Sequence, residues 1–136
     1  RKHGQLRGCI GHTIAQEPLW MCVRDVAMAA ATNDRRFKPV TPDELGDIHI
    51  EVSVLTPLVR VSDPNMLVMG RDGVVIKRGY RSGVFLPQVA DETGWDTETF
   101  LANLCAHKAG LPPNCWKDPE TQIYKFEAII FEEGAE

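Results

Sequence analysis

Apolar residues first recur at the spacing of a helix, between Pro18 and Thr32. Proline suits the first turn of a helix, and the polar run that starts at Thr32 is a typical stop. The apolar stripe of this predicted helix consists of Leu19, Trp20, Val23, Val26, Ala27 and Ala30. Residues 41–44, Thr-Pro-Asp-Glu, then have the form of a capping box, which predicts a short helical turn through Leu45.

Alternation of apolar and polar residues predicts two of the strands, at residues 47–55 and 123–131. Two short apolar runs, residues 73–77 and 83–86, are also predicted strands and form a predicted hairpin around residues 78–82. The chain is expected to leave that hairpin over Pro87 to Ala90.

A second long helix is predicted to begin at Asp96 or Thr97 and to end at Gly110. Cys105 lies on its apolar stripe and is therefore interpreted as a core residue. Strands that flank helices without a regular βαβ rhythm favour the α+β class. We expect a central mixed or antiparallel sheet with helices packed beside it.

Candidate chemistry is concentrated in residues 6–11, Leu-Arg-Gly-Cys-Ile-Gly, which are predicted to form a strand. In an extended chain Arg7 and Cys9 share one side, with open space at Gly11, while Leu6 and Ile10 point toward a core. A guanidinium beside a thiol favours the reactive thiolate form. The alternative is that Cys9 is only a packing residue, because free cysteine is commonly buried.

Further candidates come from neighbouring elements. Glu51 and Ser53 lie on the polar side of the predicted strand 47–55, and Glu51 could orient Arg7 or act as a general base. The alternative is an Arg7–Glu51 ion pair that only joins two strands. Arg36 could bind a phosphate or carboxylate, or could merely belong to a helix cap that docks Phe37. Gln88 follows a strand and could face a ligand or satisfy loop backbone.

Composition narrows the classes of function. The chain has 136 residues and a formal net charge of −4, which argues against nucleic acid as a partner. It contains no apolar run long enough to span a membrane and no secretory signal, so we expect a cytoplasmic protein with reduced thiols. A disulfide among the four cysteines is the alternative that the sequence leaves open. The four cysteines lack zinc-site or redox-motif spacing, and residues 70–73 are not a phosphate-binding loop. No cofactor and no metal site are therefore predicted.

Five motifs together resemble one known family, the AMMECR-type domain, named for the human Alport-syndrome, midface-hypoplasia and elliptocytosis chromosomal region. Prokaryotic members are called AmmeMemoRadiSam system protein A. The motifs are residues 6–11, 34–37 (Asp-Arg-Arg-Phe), 50–55 (Ile-Glu-Val-Ser-Val-Leu), 86–90 (Leu-Pro-Gln-Val-Ala) and Phe100-Leu101 continuing to 108–112 (Lys-Ala-Gly-Leu-Pro). The resemblance covers nearly the whole chain.

The resemblance implies a single, two-lobed α+β domain over residues 1–136, with the cysteine motif beside a groove between a larger and a smaller lobe. Members usually carry an N-terminal segment with helix and strand ahead of that motif, and we expect this chain to lack it. The resemblance also implies association with a Memo-type protein and a radical SAM protein. It does not supply an activity.

These observations lead to one hypothesis and one alternative. The hypothesis is a thiol-centred site at Cys9, with Arg7 and Glu51, that binds or modifies a small anionic ligand. Exposed amides at Gly8 and Gly11 would hold negative charge, while Arg36, Ser53 and Gln88 would contact the ligand. The residues permit acyl transfer or redox chemistry without deciding between them. The alternative is a non-catalytic regulatory or adaptor module in which Cys9 is structural.

Overall fold

Helices and antiparallel sheets follow one another along the chain, as the apolar pattern predicts. The structure is a computed structural model that describes residues 1–134. The predicted α+β class is confirmed, and the chain divides into two compact units. One unit comprises residues 1–54 together with the chain from Ile129 onward, and the other comprises Leu55–Ala128.

The first unit contains the predicted long helix, α1 (Leu19–Thr32), and the predicted turn, a 3-10 helix at Pro42–Asp47. Strand β1 (Glu51–Leu55) pairs with the last strand, β6 (Ala128–Glu132), in a two-stranded sheet. No residue of α1 is buried within the described chain.

The second unit is built on a four-stranded antiparallel sheet. Its strands are β2 (Val59–Arg60), β3 (Gly73–Arg78), β4 (Arg81–Phe85) and β5 (Gln122–Phe126), in the spatial order β2-β5-β3-β4. Strands β3 and β4 form the predicted hairpin, with Val74 opposite Phe85 and Arg78 opposite Arg81.

Helical segments follow the hairpin in the second unit. They are α2 (Gln88–Thr93), α3 (Thr97–Asn103), a π-helical turn at Leu104–Lys108 and a 3-10 turn at Cys115–Lys117; a shorter 3-10 turn, Pro64–Met66, precedes β3. Asp96 caps α3 by accepting a hydrogen bond from the Thr99 N–H at 2.8 Å. Gly110 follows with a positive φ of +66°, which explains glycine at that end of the helical region.

The core of the second unit lies between this sheet and the helices. Val74 and Ile76 of β3 are fully buried against Phe100, Leu101 and Leu104. The Phe85 ring packs tilted on the Phe100 ring, with the two centroids 5.1 Å apart. The buried apolar run of β3 and the helical stripe of α3 thus meet in one core.

Three strand predictions need correction. The strand predicted from residue 47 begins only at Glu51, and the hexapeptide at residues 6–11 has no regular strand structure. The predicted strand 123–131 is two strands that belong to different sheets, β5 and β6. The break falls at Glu127, whose N–H donates to Thr56 Oγ1 at 2.8 Å and whose carbonyl accepts from the Thr56 N–H at 2.8 Å. The side-chain hydroxyl and the backbone N–H of Thr56 therefore bind the Glu127 backbone groups that a continuous β-ladder would have used.

The expectation that all four cysteines are reduced is wrong for one pair. Cys105 and Cys115 are joined by a disulfide, while Cys9 and Cys22 are free. Both half-cystines are buried in the core, so the interpretation of Cys105 as a core residue is confirmed. Among residues 1–134, no helix is long and apolar enough to cross a membrane.

Gly83 offers a test of how the second unit is packed. A Cβ at this position would lie 2.7 Å from the Ala109 backbone nitrogen and 2.7 Å from Lys108 Cβ. We therefore expect Gly83→Ala to lower the free energy of unfolding by about 1–3 kcal/mol, the usual range for overpacking. Denaturant unfolding measures it. Ser82→Ala, at an exposed neighbour, should change the value by no more than about 0.5 kcal/mol, and equal effects would refute the packing argument.

Candidate functional site

Arg7 is bound by Glu44. Its Nε and Nη2 donate to the two carboxylate oxygens of Glu44, each at 3.1 Å, and its Nη1 donates to the Lys38 carbonyl at 2.8 Å. Such a two-pronged contact fixes the guanidinium plane. Arg7 therefore ties the cysteine motif to the segment that leads into the Pro42–Asp47 turn.

Glu44 is also held by its own turn. Its side chain accepts the Thr41 N–H at 2.8 Å, which completes the predicted capping box, and the Lys2 ammonium at 3.1 Å. The Arg7 hydrogen bond is the largest cause that holds the pKa of Glu44 well below its usual range, followed by the Thr41 N–H and Lys2. Glu44 therefore stays ionised and continues to occupy Arg7.

Cys9 is held through its backbone and leaves its side chain exposed. The Cys9 N–H donates to Asp34 Oδ2 at 3.0 Å. The same carboxylate receives the Arg36 side chain, from Nε to Oδ1 at 3.1 Å and from Nη2 to Oδ2 at 2.7 Å, and also the Arg36 N–H at 3.0 Å. Asp34 is 7% exposed, so one buried carboxylate joins the cysteine motif to Arg36.

Asp34 and Arg36 shift each other's pKa. The Arg36 side-chain hydrogen bond is the largest cause that holds the pKa of Asp34 well below its usual range. In turn, that hydrogen bond raises the pKa of Arg36, and the charges of Asp34 and Cys9 add to the effect. A Cys9 thiolate therefore lies within electrostatic reach of Arg36.

This arrangement corrects the predicted geometry of the site. Arg7 was expected to pair with Glu51, but its carboxylate partner is Glu44. Glu51 and Ser53 lie half-buried on β1, and within residues 1–134 neither side chain takes part in a hydrogen bond or ion pair. Leu6 and Ile10, expected to point into a core, are 43% and 37% exposed in the described chain.

The two glycines of the hexapeptide have different roles. A Cβ on Gly8 would overlap the carbonyl oxygen of Ala30 in α1, whereas a Cβ on Gly11 would meet nothing within 4 Å. Gly8 therefore lets the motif approach the last turns of α1 closely. Gly11 leaves open space, as predicted.

A shallow depression of about 400 Å³ lies where α1 ends. It is lined by Thr32, Asn33, Asp34, Arg35 and Phe37. Residues 34–38 carry three cationic side chains and one carboxylate, a formal local charge of +2. This cationic loop offsets the negative end of the α1 dipole.

Gln88 belongs to the second unit, where it is the first residue of α2. Its Oε1 is buried and accepts no hydrogen bond within the described residues. Among those residues, no group of three or more His, Cys, Asp or Glu side chains could hold a metal ion.

Comparison with known proteins decides the family, because the AMMECR1 family model matches residues 1–131. The chain belongs to the AMMECR1 family. A protein of Methanothermobacter thermautotrophicus is 51% identical over 138 residues, which cover 97% of this chain and 71% of the relative. Protein TK0174 of Thermococcus kodakarensis is 50% identical over 133 residues, which cover 94% and 64%.

The fold is also that of a solved AMMECR1-family relative. The crystal structure of the uncharacterized protein PH0010 from Pyrococcus horikoshii matches with a TM-score of 0.91 and 43% identity, covering 98% of this chain and 70% of that chain. This chain thus spans 64% to 71% of the length of the sequence relatives named above.

Gly8 and Gly11 form a matched pair for testing how the AMMECR1 cysteine motif is positioned. Gly8→Ala must push the motif away from the Ala30 carbonyl, so we expect a loss of about 1–3 kcal/mol in the free energy of unfolding. Gly11→Ala should lose less than about 0.5 kcal/mol. Denaturant unfolding of both variants makes the comparison, and the reverse order would contradict the structure.

Acid should lower the stability of this site through its two paired carboxylates. Asp34 and Glu44 have pKa values lowered in the folded state, so the stability they contribute is present above their unfolded pKa of about 4 and is lost as the pH falls further. Asp34→Asn and Glu44→Gln should each flatten the fall in unfolding free energy measured between about pH 6 and about pH 3. Asp43→Asn, an exposed neighbour, is the control and should retain the steeper slope.

Proposed function

We propose that this AMMECR1-family chain carries a thiol-centred site at Cys9 that binds or modifies a small anionic ligand. The observation that supports it is the Asp34 carboxylate, which holds the Cys9 backbone and the Arg36 guanidinium together. The Cys9 side chain is left exposed and free to react. The Memo-type and radical SAM partners implied by the sequence resemblance belong to this proposal as its working context.

Charge favours an anionic ligand near Arg36. Two of the three guanidinium nitrogens of Arg36 donate to Asp34, while the third, Nη1, donates to no group within the described chain. Arg35 lines the adjoining depression and adds a second guanidinium. Guanidinium groups bind phosphate and carboxylate oxygens in paired hydrogen bonds, which makes these two classes the best candidates.

The proposed roles follow from these contacts. Cys9 would be the nucleophile, Arg36 the anion-binding group and Asp34 the residue that positions both. Arg7 would hold the motif in place through Glu44 rather than act on the thiol. The earlier candidates Gly8 and Gly11 would shape the motif, and their amides would face developing negative charge.

One observation favours a second candidate, a non-catalytic docking module. Trp20 and Met28 of α1 are 66% and 65% exposed, and α1 buries no residue in the described chain. Large exposed apolar side chains often mark protein contacts. In this case Cys9 would be dispensable and α1 would provide the interface.

Alkylation kinetics separate the two candidates. Iodoacetamide should modify Cys9 in the folded protein at neutral pH, and mass spectrometry would follow the site. Arg36→Gln should slow this reaction about fivefold, the rate equivalent of roughly 1 kcal/mol of Coulombic interaction. Arg35→Gln removes the same charge one residue away, without the Asp34 contact, and should have a much smaller effect.

Inorganic phosphate serves as the test ligand in the same experiment. It should protect Cys9 from iodoacetamide in the native sequence and lose that effect in Arg36→Gln. If Cys9 reacts only after unfolding, or if Arg36→Gln and Arg35→Gln behave alike without phosphate protection, the thiol site is refuted. The docking module would then be the better explanation.

A further inference from the structure

The Cys105–Cys115 disulfide encloses a segment that lies mostly at the protein surface. Residues 106–114, called here the enclosed segment, contain the family motif at 108–112 and run between the π-helical turn and the last 3-10 turn. Ala109 is the one residue of this segment that is buried. Leu111 is half-buried against the same core, so apolar packing anchors the segment at two positions, while six of its nine residues are exposed.

Noncovalent contacts of the enclosed segment with the sheet are concentrated on β4. Gly83 packs so closely on Lys108 and Ala109 that a Cβ there would lie 2.7 Å from the Ala109 nitrogen. The Gly110 carbonyl accepts from Arg81 Nη1 at 2.9 Å, and the Lys108 ammonium lies 5.9 Å from the centroid of the Phe85 ring. The Leu111 N–H donates to the Cys105 carbonyl at 2.8 Å. Arg81 and Lys108 are exposed, so water competes for both contacts.

The sequence of the segment also prevents it from extending the helix. Gly110 has a left-handed backbone, and Pro112 and Pro113 lack the N–H groups that a helix needs. The preceding turn is π-helical, a form that is rare and depends on its surroundings. The disulfide is therefore the strongest constraint at the two ends of the segment.

We propose that the Cys105–Cys115 disulfide is a redox-sensitive crosslink that controls the order of the enclosed segment. When it is intact, Lys108 and Gly110 stay against β4. When it is reduced, the segment leaves β4 while the sheet and α3 remain folded. Phe100, Leu101 and Leu104 are fully buried and lie outside the segment, so the core keeps these residues as its anchors in the open form.

The redox step requires a thiol reductant, either a dithiol protein or a small thiol. Its thiolate attacks one sulfur of the disulfide, forming a mixed disulfide and releasing the other cysteine as a thiolate that takes up a proton. A second reductant thiolate then resolves the mixed disulfide, and the second cysteine is protonated. Two electrons and two protons reach the protein, and the reductant leaves as a disulfide. Because both sulfurs are buried, we expect reduction of the folded protein to be slow.

Hydrogen–deuterium exchange of the full chain, before and after reduction by a phosphine, tests this proposal. Peptides from residues 104–117 should exchange at least about tenfold faster after reduction, while peptides from α3, β4 and β5 stay protected. Cys105→Ala/Cys115→Ala should show the open pattern without reductant. Cys9→Ala/Cys22→Ala, which removes the two free thiols, should keep the full response.

Three results would overturn the proposal. Alkylation of all four cysteines in denatured, unreduced protein would show that the disulfide does not form. Unchanged exchange at 104–117 after reduction would show that packing alone orders the segment. Loss of protection throughout the second unit would show that the disulfide supports the whole core rather than this segment.

Discussion

The buried carboxylate of Asp34 is the constraint on which the cysteine motif depends. A carboxylate with so little exposure is tolerated only when its oxygens are satisfied by hydrogen bonds and its charge is balanced. Here two backbone N–H groups and one guanidinium do both, and the partners come from Cys9 and Arg36. The same hydrogen bonds that compensate for the burial of Asp34 also bring the Cys9 thiol and the Arg36 guanidinium to one place.

A second carboxylate, Glu44, performs a related task with a different result. Its carboxylate accepts hydrogen bonds from Arg7, Lys2 and the Thr41 N–H. Arg7, the arginine nearest to Cys9 in sequence, is therefore engaged in a structural contact. Because Arg7 pairs with Glu44 and Arg36 pairs with Asp34, the two arginines have different roles. Arg7 fixes the motif against the Pro42–Asp47 turn, and Arg36 remains the cation with electrostatic influence on Cys9.

The second unit has a different basis of stability. Its sheet and α3 share a continuous apolar core, and the disulfide lies within that core rather than at the surface. We propose that the crosslink orders the enclosed segment, most of whose residues are exposed. The order of this region therefore depends on apolar packing and on one covalent bond, and these two respond to different solution conditions.

Local pattern was enough to predict much of the architecture. Helical spacing from Leu19 predicted α1, the Thr41–Glu44 pattern predicted the capped turn, and two apolar runs around a turn predicted the β3–β4 hairpin, because each signal acts over neighbouring residues. Five motifs were also enough to identify the family. The class of fold and the importance of residues 6–11 could thus be inferred without coordinates.

Contacts between distant residues could be decided only by the tertiary structure. The break at Glu127 depends on Thr56, 71 residues away, and the partner of Arg7 lies 37 residues away at Glu44. Strand alternation paired Arg7 with Cys9 and Glu51 because it assumes a regular strand, which residues 6–11 do not form. Sequence determined which side chains carry chemistry, whereas the folded backbone selected their partners, since a carboxylate binds the nearest donors in space rather than in sequence.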